Sequence, residues 1–176
     1  VTPFFYSQTK SGGLGLPNLE DEIHLFRVST AFKVLFTQGD ELVRDIAISA
    51  LNETASIRTN DNSPAQDFLN NRADPGEGRR GDITSLWSDV RSSLKHCEPT
   101  IHLNNNTITC GSTTFGWNKR NSVTSLLRST VQNRYLEKWK RCSDQGRAMA
   151  CVSAHSASNH WVTNGRFTGF GEYRFA

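Results

Sequence analysis

Apolar residues recur at helical spacing through most of the chain. Between Asn18 and Gly39, the positions Leu25, Val28, Phe32, Leu35 and Phe36 share one side of a 3.6-residue spiral, which predicts a first long helix. Asn18 suits its cap, with Asp21 three residues on, and Gly39 stops it. Asp40 can cap a second helix, whose narrow apolar face of Val43, Ile46, Ala47, Ala50 and Leu51 ends near Thr54. The short link between the two predicts an antiparallel pair. Ser63 as cap, Pro64 at the first helical position and Gln66 completing a capping box predict a short third helix. Asp82 opens a fourth, with Ile83, Leu86, Trp87, Val90 and Leu94 on a face expected to pack on the first pair.

The period changes around residue 100. Apolar and β-branched residues alternate on both sides of Asn104, Asn105 and Asn106, and asparagine tolerates the positive φ of a tight turn, so a small β-hairpin is expected near 100–110. Helical spacing returns from about Asn121 to Arg141, with Val123, Leu127, Val131 and Tyr135 on one face and Trp139 close to it. In the tail, Trp161, Phe167, Phe170, Tyr173 and Phe175 are divided by Gly165, Gly169 and Gly171. Short helices are expected there, one capped by Ser158 or Asn159 and one by Thr168. The fold class is mainly α, a bundle of about five to seven helices with one small hairpin.

Two stretches interrupt this pattern. Gly12, Gly13 and Gly15 surround Leu14 and are followed by Pro17, a side-chain-poor elbow just before the first long helix. Residues 72–81 combine Pro75, three glycines and mixed charges, and read as a mobile loop. A single module is therefore expected, with the elbow at 1–17, an acidic helical part at 18–71, the loop, and a basic helical part at 82–176.

Charge sharpens this division. Residues 1–78 carry six Lys and Arg against eleven Asp and Glu, and 79–176 carry fourteen against six, so a formal net charge of +3 hides −5 and +8. The basic half suits a polyanion. Projected at about 100° per residue, Arg120, Arg134, Lys138 and Arg141 fall within an arc of about 60°, with Tyr135 and Trp139 nearby. That stripe reads either as phosphate-contacting or as a solvated helix face. Apolar residues make up 36% of the chain, enough for a core, yet no run approaches the ~20 residues of a membrane span. The N-terminus lacks a signal-peptide plan, and Val1 in place of Met suggests a fragment. Cys97, Cys110, Cys142 and Cys151 are widely spaced and read as reduced intracellular thiols.

Catalytic chemistry finds little support. No paired carboxylates occur in the setting that holds Mg²⁺ in polymerases. Ser153, His155 and Asp144 could be imagined as a triad, but "SAHS" lacks a nucleophile-elbow pattern and reads as a small-residue loop. His155 and His160 with Cys142 and Cys151 fit no standard zinc spacing. "GGLG" lacks the Gly-Lys-Ser/Thr ending of a phosphate-binding loop, so the elbow is conformational.

Two blocks carry a resemblance. "SGGLGLPNLED" at 11–21 is similar to the Gly-Gly-Leu-Gly-Ile/Leu-Pro signature that follows the palm in reverse transcriptases of non-LTR retrotransposons. "QGR" at 145–147, followed by "SASNHWVTNGRFTGFGEYRF" at 156–175, is similar to a downstream block of the same enzymes, closest to the site-specific elements with a restriction-like endonuclease. The resemblance implies a thumb and the start of a linker, with Gly12, Gly13, Gly15 and Pro17 at the palm exit. It implies a grip on an RNA/DNA hybrid through backbone contacts, with RNA, DNA and the remainder of the enzyme as partners, no membrane, and a nuclear location for the full element. Position in the block adds Arg147 and Arg166 to the expected nucleic-acid contacts. The family's catalytic aspartates and their Mg²⁺ belong to a palm outside this segment, so no catalytic residue, metal or cofactor is expected within it. A stand-alone helical nucleic-acid-binding module and a helical protein-interaction domain stay open as alternatives.

Overall fold

The computed structural model describes residues 2–59, 65–73, 85–143 and 145–154. Helices α1 (Thr2–Tyr6), α2 (Leu19–Leu35), α3 (Glu41–Arg58), α4 (Ala65–Leu69) and α5 (Leu86–Cys97) precede three short strands, and α6 (Val123–Lys140) and α7 (Gly146–Ala154) follow them. Thr9–Ser11 and Trp117–Ser122 form 3₁₀ turns. The protein is mainly helical with a small antiparallel sheet, as the sequence pattern predicts. No helix among the described residues is long and apolar enough to cross a membrane.

The chain forms two compact units, one from residues 1–19 and 129–176 and the other from 20–128. Positions 74–81, the capping residues Ser63 and Pro64, and the aromatic tail lie outside the described residues.

In the 20–128 unit, α2 buries Leu25, Val28, Phe32, Leu35 and, just beyond its end, Phe36, the face expected from sequence. Asp40 caps α3 by accepting from the Val43 amide at 3.1 Å. The apolar face anticipated for α3 is corrected in part: Ala47 and Leu51 are buried, joined by Thr54 and Ala55, whereas Val43 and Ile46 are exposed, by 41% and 60%. Helices α4 and α5 pack on α3, whose buried residues all lie in its second half or near it. The start of α5 also moves. Ser85, in extended backbone, accepts from the Ser88 amide at 3.2 Å and makes Leu86 the first helical residue, in place of an opening at Asp82. Across α2 and α6, Arg128 donates twice to Glu22, through Nε and Nη2, each at 2.7 Å. These bonds hold the Glu22 carboxyl below its usual range and raise Arg128.

The expected hairpin pairs β1 (Thr100–His102) with β2 (Thr107–Cys110) in the register Ile101 to Ile108, and Asn106 takes φ 51° at its turn. A third strand, β3 (Thr113–Gly116), was not foreseen; it pairs with β2 across the two-residue loop Gly111-Ser112, where Gly111 has φ 58°. A Gly-Ser pair between alternating residues is itself a hairpin signal. Strand β1 is an edge, and α4 covers it. Asn70 donates from Nδ2 to the Ile101 carbonyl at 2.8 Å and accepts from the Ile101 amide at 2.9 Å. Gln66 accepts from the Leu103 amide at 2.9 Å. Alternate residues of an antiparallel strand direct both backbone groups outward, and a planar amide satisfies both at once. Arg91 secures the same corner, bonding Asn71 Oδ1 at 3.0 Å and the Ala73 carbonyl at 3.1 Å with its guanidinium over Phe68.

Replacing Asn70 with Ala strands the polar backbone of fully buried Ile101. The expected loss is about 2 kcal/mol of unfolding free energy, measured by urea denaturation, with Asn70→Gln restoring little because its amide is displaced by one methylene.

Candidate nucleic-acid interface and a histidine cluster

The unit built from 1–19 and 129–176 brings α1 and the elbow together with α6 and α7. Phe4 meets Trp139 edge-on with centroids 5.2 Å apart, and Tyr6 meets Tyr135 at 5.2 Å. Asn18 donates to the Tyr135 hydroxyl at 3.0 Å, and Gln8 reaches the Ser129 carbonyl at 3.4 Å. Buried Val131, Trp139 and Met149 supply apolar contacts from α6 and α7. Trp139 Nε1 donates to Gln145 Oε1 at 3.3 Å, which ties the residue before α7 back to α6.

The glycine elbow lies in this unit. After the 3₁₀ turn the chain doubles back along α1, and the amides of Leu14, Gly15 and Leu16 donate to the carbonyls of Phe4, Ser7 and Phe5 at 2.8–3.0 Å. Gly12 and Gly15 have φ of 87° and 65°, which glycine adopts at little cost. Gly13 works differently. Its φ is not in the left-handed region, and a Cβ there falls 2.3 Å from the Ser7 carbonyl oxygen, so the restriction is steric. Pro17 is exposed in the segment leading to α2. Gly146 repeats the device, with a Cβ position 2.1 Å from the Lys140 carbonyl oxygen.

The expected cations divide between the two units. Arg134 is half-buried and engaged within the fold, while Lys138, Arg141 and Arg147 are exposed. Lys138 Nζ stands 5.8 Å from the Tyr135 ring centroid. Arg120 belongs to the other unit, in the 3₁₀ turn before α6, where Lys119 is non-helical. Its guanidinium lies 4.7 Å from the Trp117 ring and donates to the Trp117 carbonyl at 3.5 Å. A uniform helical projection therefore does not reach it, and the stripe reduces to Arg134, Lys138 and Arg141. Arg166 lies outside the described residues.

Counted by unit, residues 1–19 and 129–176 hold eight Lys and Arg against three Asp and Glu, net +5, and 20–128 hold twelve against fourteen, net −2. Exposed Lys10, on the turn against which α7 packs, joins the basic set. Ser153, imagined in a loop, lies on α7, while His155 and His160 are outside the described residues. Among the described residues Cys97, Cys110 and Cys142 form no disulfide, and the first two are buried.

Sequence reasoning missed a second constellation. Glu20 and His24, four apart on α2, meet His96 of α5, and their ligand atoms all lie within 4.8 Å of one another. The two imidazoles stack at 4.2 Å. His96 Nε2 is 2.7 Å from Oδ1 of buried Asp21, and His24 Nδ1 is 2.9 Å from Ser93 Oγ. Burial, with His96 and Arg27 nearby, holds His24 below the ordinary histidine range. Glu20 and His24 at i and i+4 were the legible half of this cluster; His96 is 72 residues further along the sequence.

Set against known proteins, the chain matches no family model, no curated protein and no solved structure.

Gly13→Ala is expected to destabilise the protein by about 2 kcal/mol or more, because the Ser7 backbone must move. Gly116→Ala, whose Cβ meets nothing closer than the Asn118 side chain at 3.5 Å, is expected to cost less than about 0.5 kcal/mol. Thermal denaturation of the two variants separates the contributions.

Proposed function

We propose that this chain is a helical module that binds nucleic acid through the phosphate backbone. More particularly, we read it as the thumb and linker-start segment of a non-LTR retrotransposon reverse transcriptase, holding the template RNA/cDNA hybrid and not catalytic alone. The carrying observation is that Gly12, Gly13, Gly15 and Pro17 of the first block with the family resemblance, and Gln145-Gly146-Arg147 of the second, fall in one compact unit, which is also the cationic one. In both blocks a glycine occupies a place where a side chain does not fit.

Physical chemistry supports the same reading. Lys138, Arg141 and Arg147 are exposed cations in that unit, and long flexible cations suit phosphates whose spacing, not base identity, is recognised. A hybrid duplex presents a regular anionic backbone without a readable deep groove, which favours shape and charge over base contacts. The exposed apolar residues Ile23 and Phe26 of α2 and Leu42 and Ile46 of α3 favour a second reading, a surface for protein, which is compatible with contact to the remainder of a polymerase.

The test is a titration of an RNA/DNA hybrid against salt. The chain is expected to bind with log K falling linearly in log salt, and replacing Lys138, Arg141 and Arg147 with Gln is expected to reduce that slope by about 0.9 for each lost phosphate contact, leaving the circular dichroism spectrum unchanged. An unaltered slope and affinity in the triple variant returns these cations to solvation of the surface and defeats the reading.

A further inference from the structure

We propose that Glu20, His24 and His96 form a binding site for a divalent transition metal, with zinc as the ion their chemistry suits. Two imidazole nitrogens and a carboxylate oxygen make a three-ligand set that leaves a fourth position for water. Their ligand atoms lie within 4.8 Å of one another. Tetrahedral zinc, with bonds of about 2.0–2.1 Å, separates its ligands by about 3.4 Å. Closing the set therefore takes a shift of about 1.4 Å at most for any pair of ligand atoms, shared between the side-chain torsions of exposed Glu20 and a rotation of the two imidazoles out of their stack.

The outer partners carry the argument beyond the cluster itself. Ser93 Oγ gives its hydrogen to the Asp89 carbonyl at 2.9 Å, so it accepts from His24 Nδ1, and the lone pair of His24 is on Nε2. The buried Asp21 carboxylate takes the Nε2 hydrogen of His96 at 2.7 Å and leaves that ring's lone pair on Nδ1. A carboxylate and a hydroxyl orienting the far nitrogens of two histidines is the outer-shell arrangement that metal sites use to fix tautomer and ring direction. The ion would link the first turns of α2 to the end of α5.

Isothermal titration of the metal-stripped 176-residue chain with ZnCl₂, and separately with CoCl₂ under visible spectroscopy, tests the site. The expected result is one ion per chain at micromolar affinity, with cobalt ligand-field bands but no thiolate charge-transfer band. His24→Gln and His96→Gln should weaken binding at least a hundredfold, and Ser93→Ala by tenfold or more. Glu20→Gln, on the helix surface, should weaken it at least tenfold without affecting folding, so the test stands even if a histidine variant unfolds. Cys142→Ser and Cys151→Ser should bind as the parent does. Millimolar or absent binding overturns the proposal, as does affinity unchanged in Glu20→Gln, or binding lost with the cysteines and accompanied by a charge-transfer band.

Discussion

Two backbone carbonyls, those of Ser7 and Lys140, are approached so closely by glycine that no methyl group fits between. That steric constraint organises the unit formed by the chain's two ends. Because Gly13 lies against Ser7, the residues after it run back along α1 and satisfy its otherwise open carbonyls. The segment then leaves toward α2 with Asn18 bonded to Tyr135. At the other end, Gly146 meets the last turn of α6, so α7 begins immediately and Trp139 can reach Gln145. Dispersion among Phe4, Tyr6, Tyr135 and Trp139 stabilises the result, but the geometry that brings these rings together is set by absent side chains.

The 20–128 unit rests on a different principle, the satisfaction of buried polar groups. Asp21 is almost fully buried and would be costly there without a partner; His96 supplies one. Asn70 and Gln66 do the same for the exposed edge of β1, which replaces an open strand edge by side-chain amides. Thr124 donates its hydroxyl to Ser29 Oγ at 2.9 Å where α6 begins, and Arg128 meets Glu22 one turn further on. These contacts fix direction and register more than they add free energy, since exchange with water offsets most of each bond.

The two units differ in sign of charge as well as in construction, and this bears on the proposed grip on a hybrid. A cationic unit adjacent in sequence to an acidic one keeps a long-range attraction to phosphates confined to one body, where Lys138, Arg141 and Arg147 are exposed. In the acidic unit the carboxylates of Glu22 and Asp21 are held in bonds to Arg128 and His96.

Helical periodicity by itself determined α2, the capped start of α3, the burial of Trp87, Val90 and Leu94 on α5, though not of Leu86, which is half-exposed in its first turn, and the apolar side of α6, because each of these elements buries a stripe long enough to dominate its neighbours' preferences. The hairpin and the positive φ of Asn106 were equally legible, since turn chemistry is local. Only the tertiary structure decided which turns of α3 are covered, that residues 1–19 join 129–176, and that Arg120 departs from the helix of Arg134. It also decided that Glu20 and His24 meet His96 from a distant segment. Each of these depends on which surfaces meet after the chain has folded back on itself, and no spacing within one element carries that information. Gly13 marks the boundary between the two: the sequence shows that a glycine stands there, and the nearness of the Ser7 carbonyl explains why.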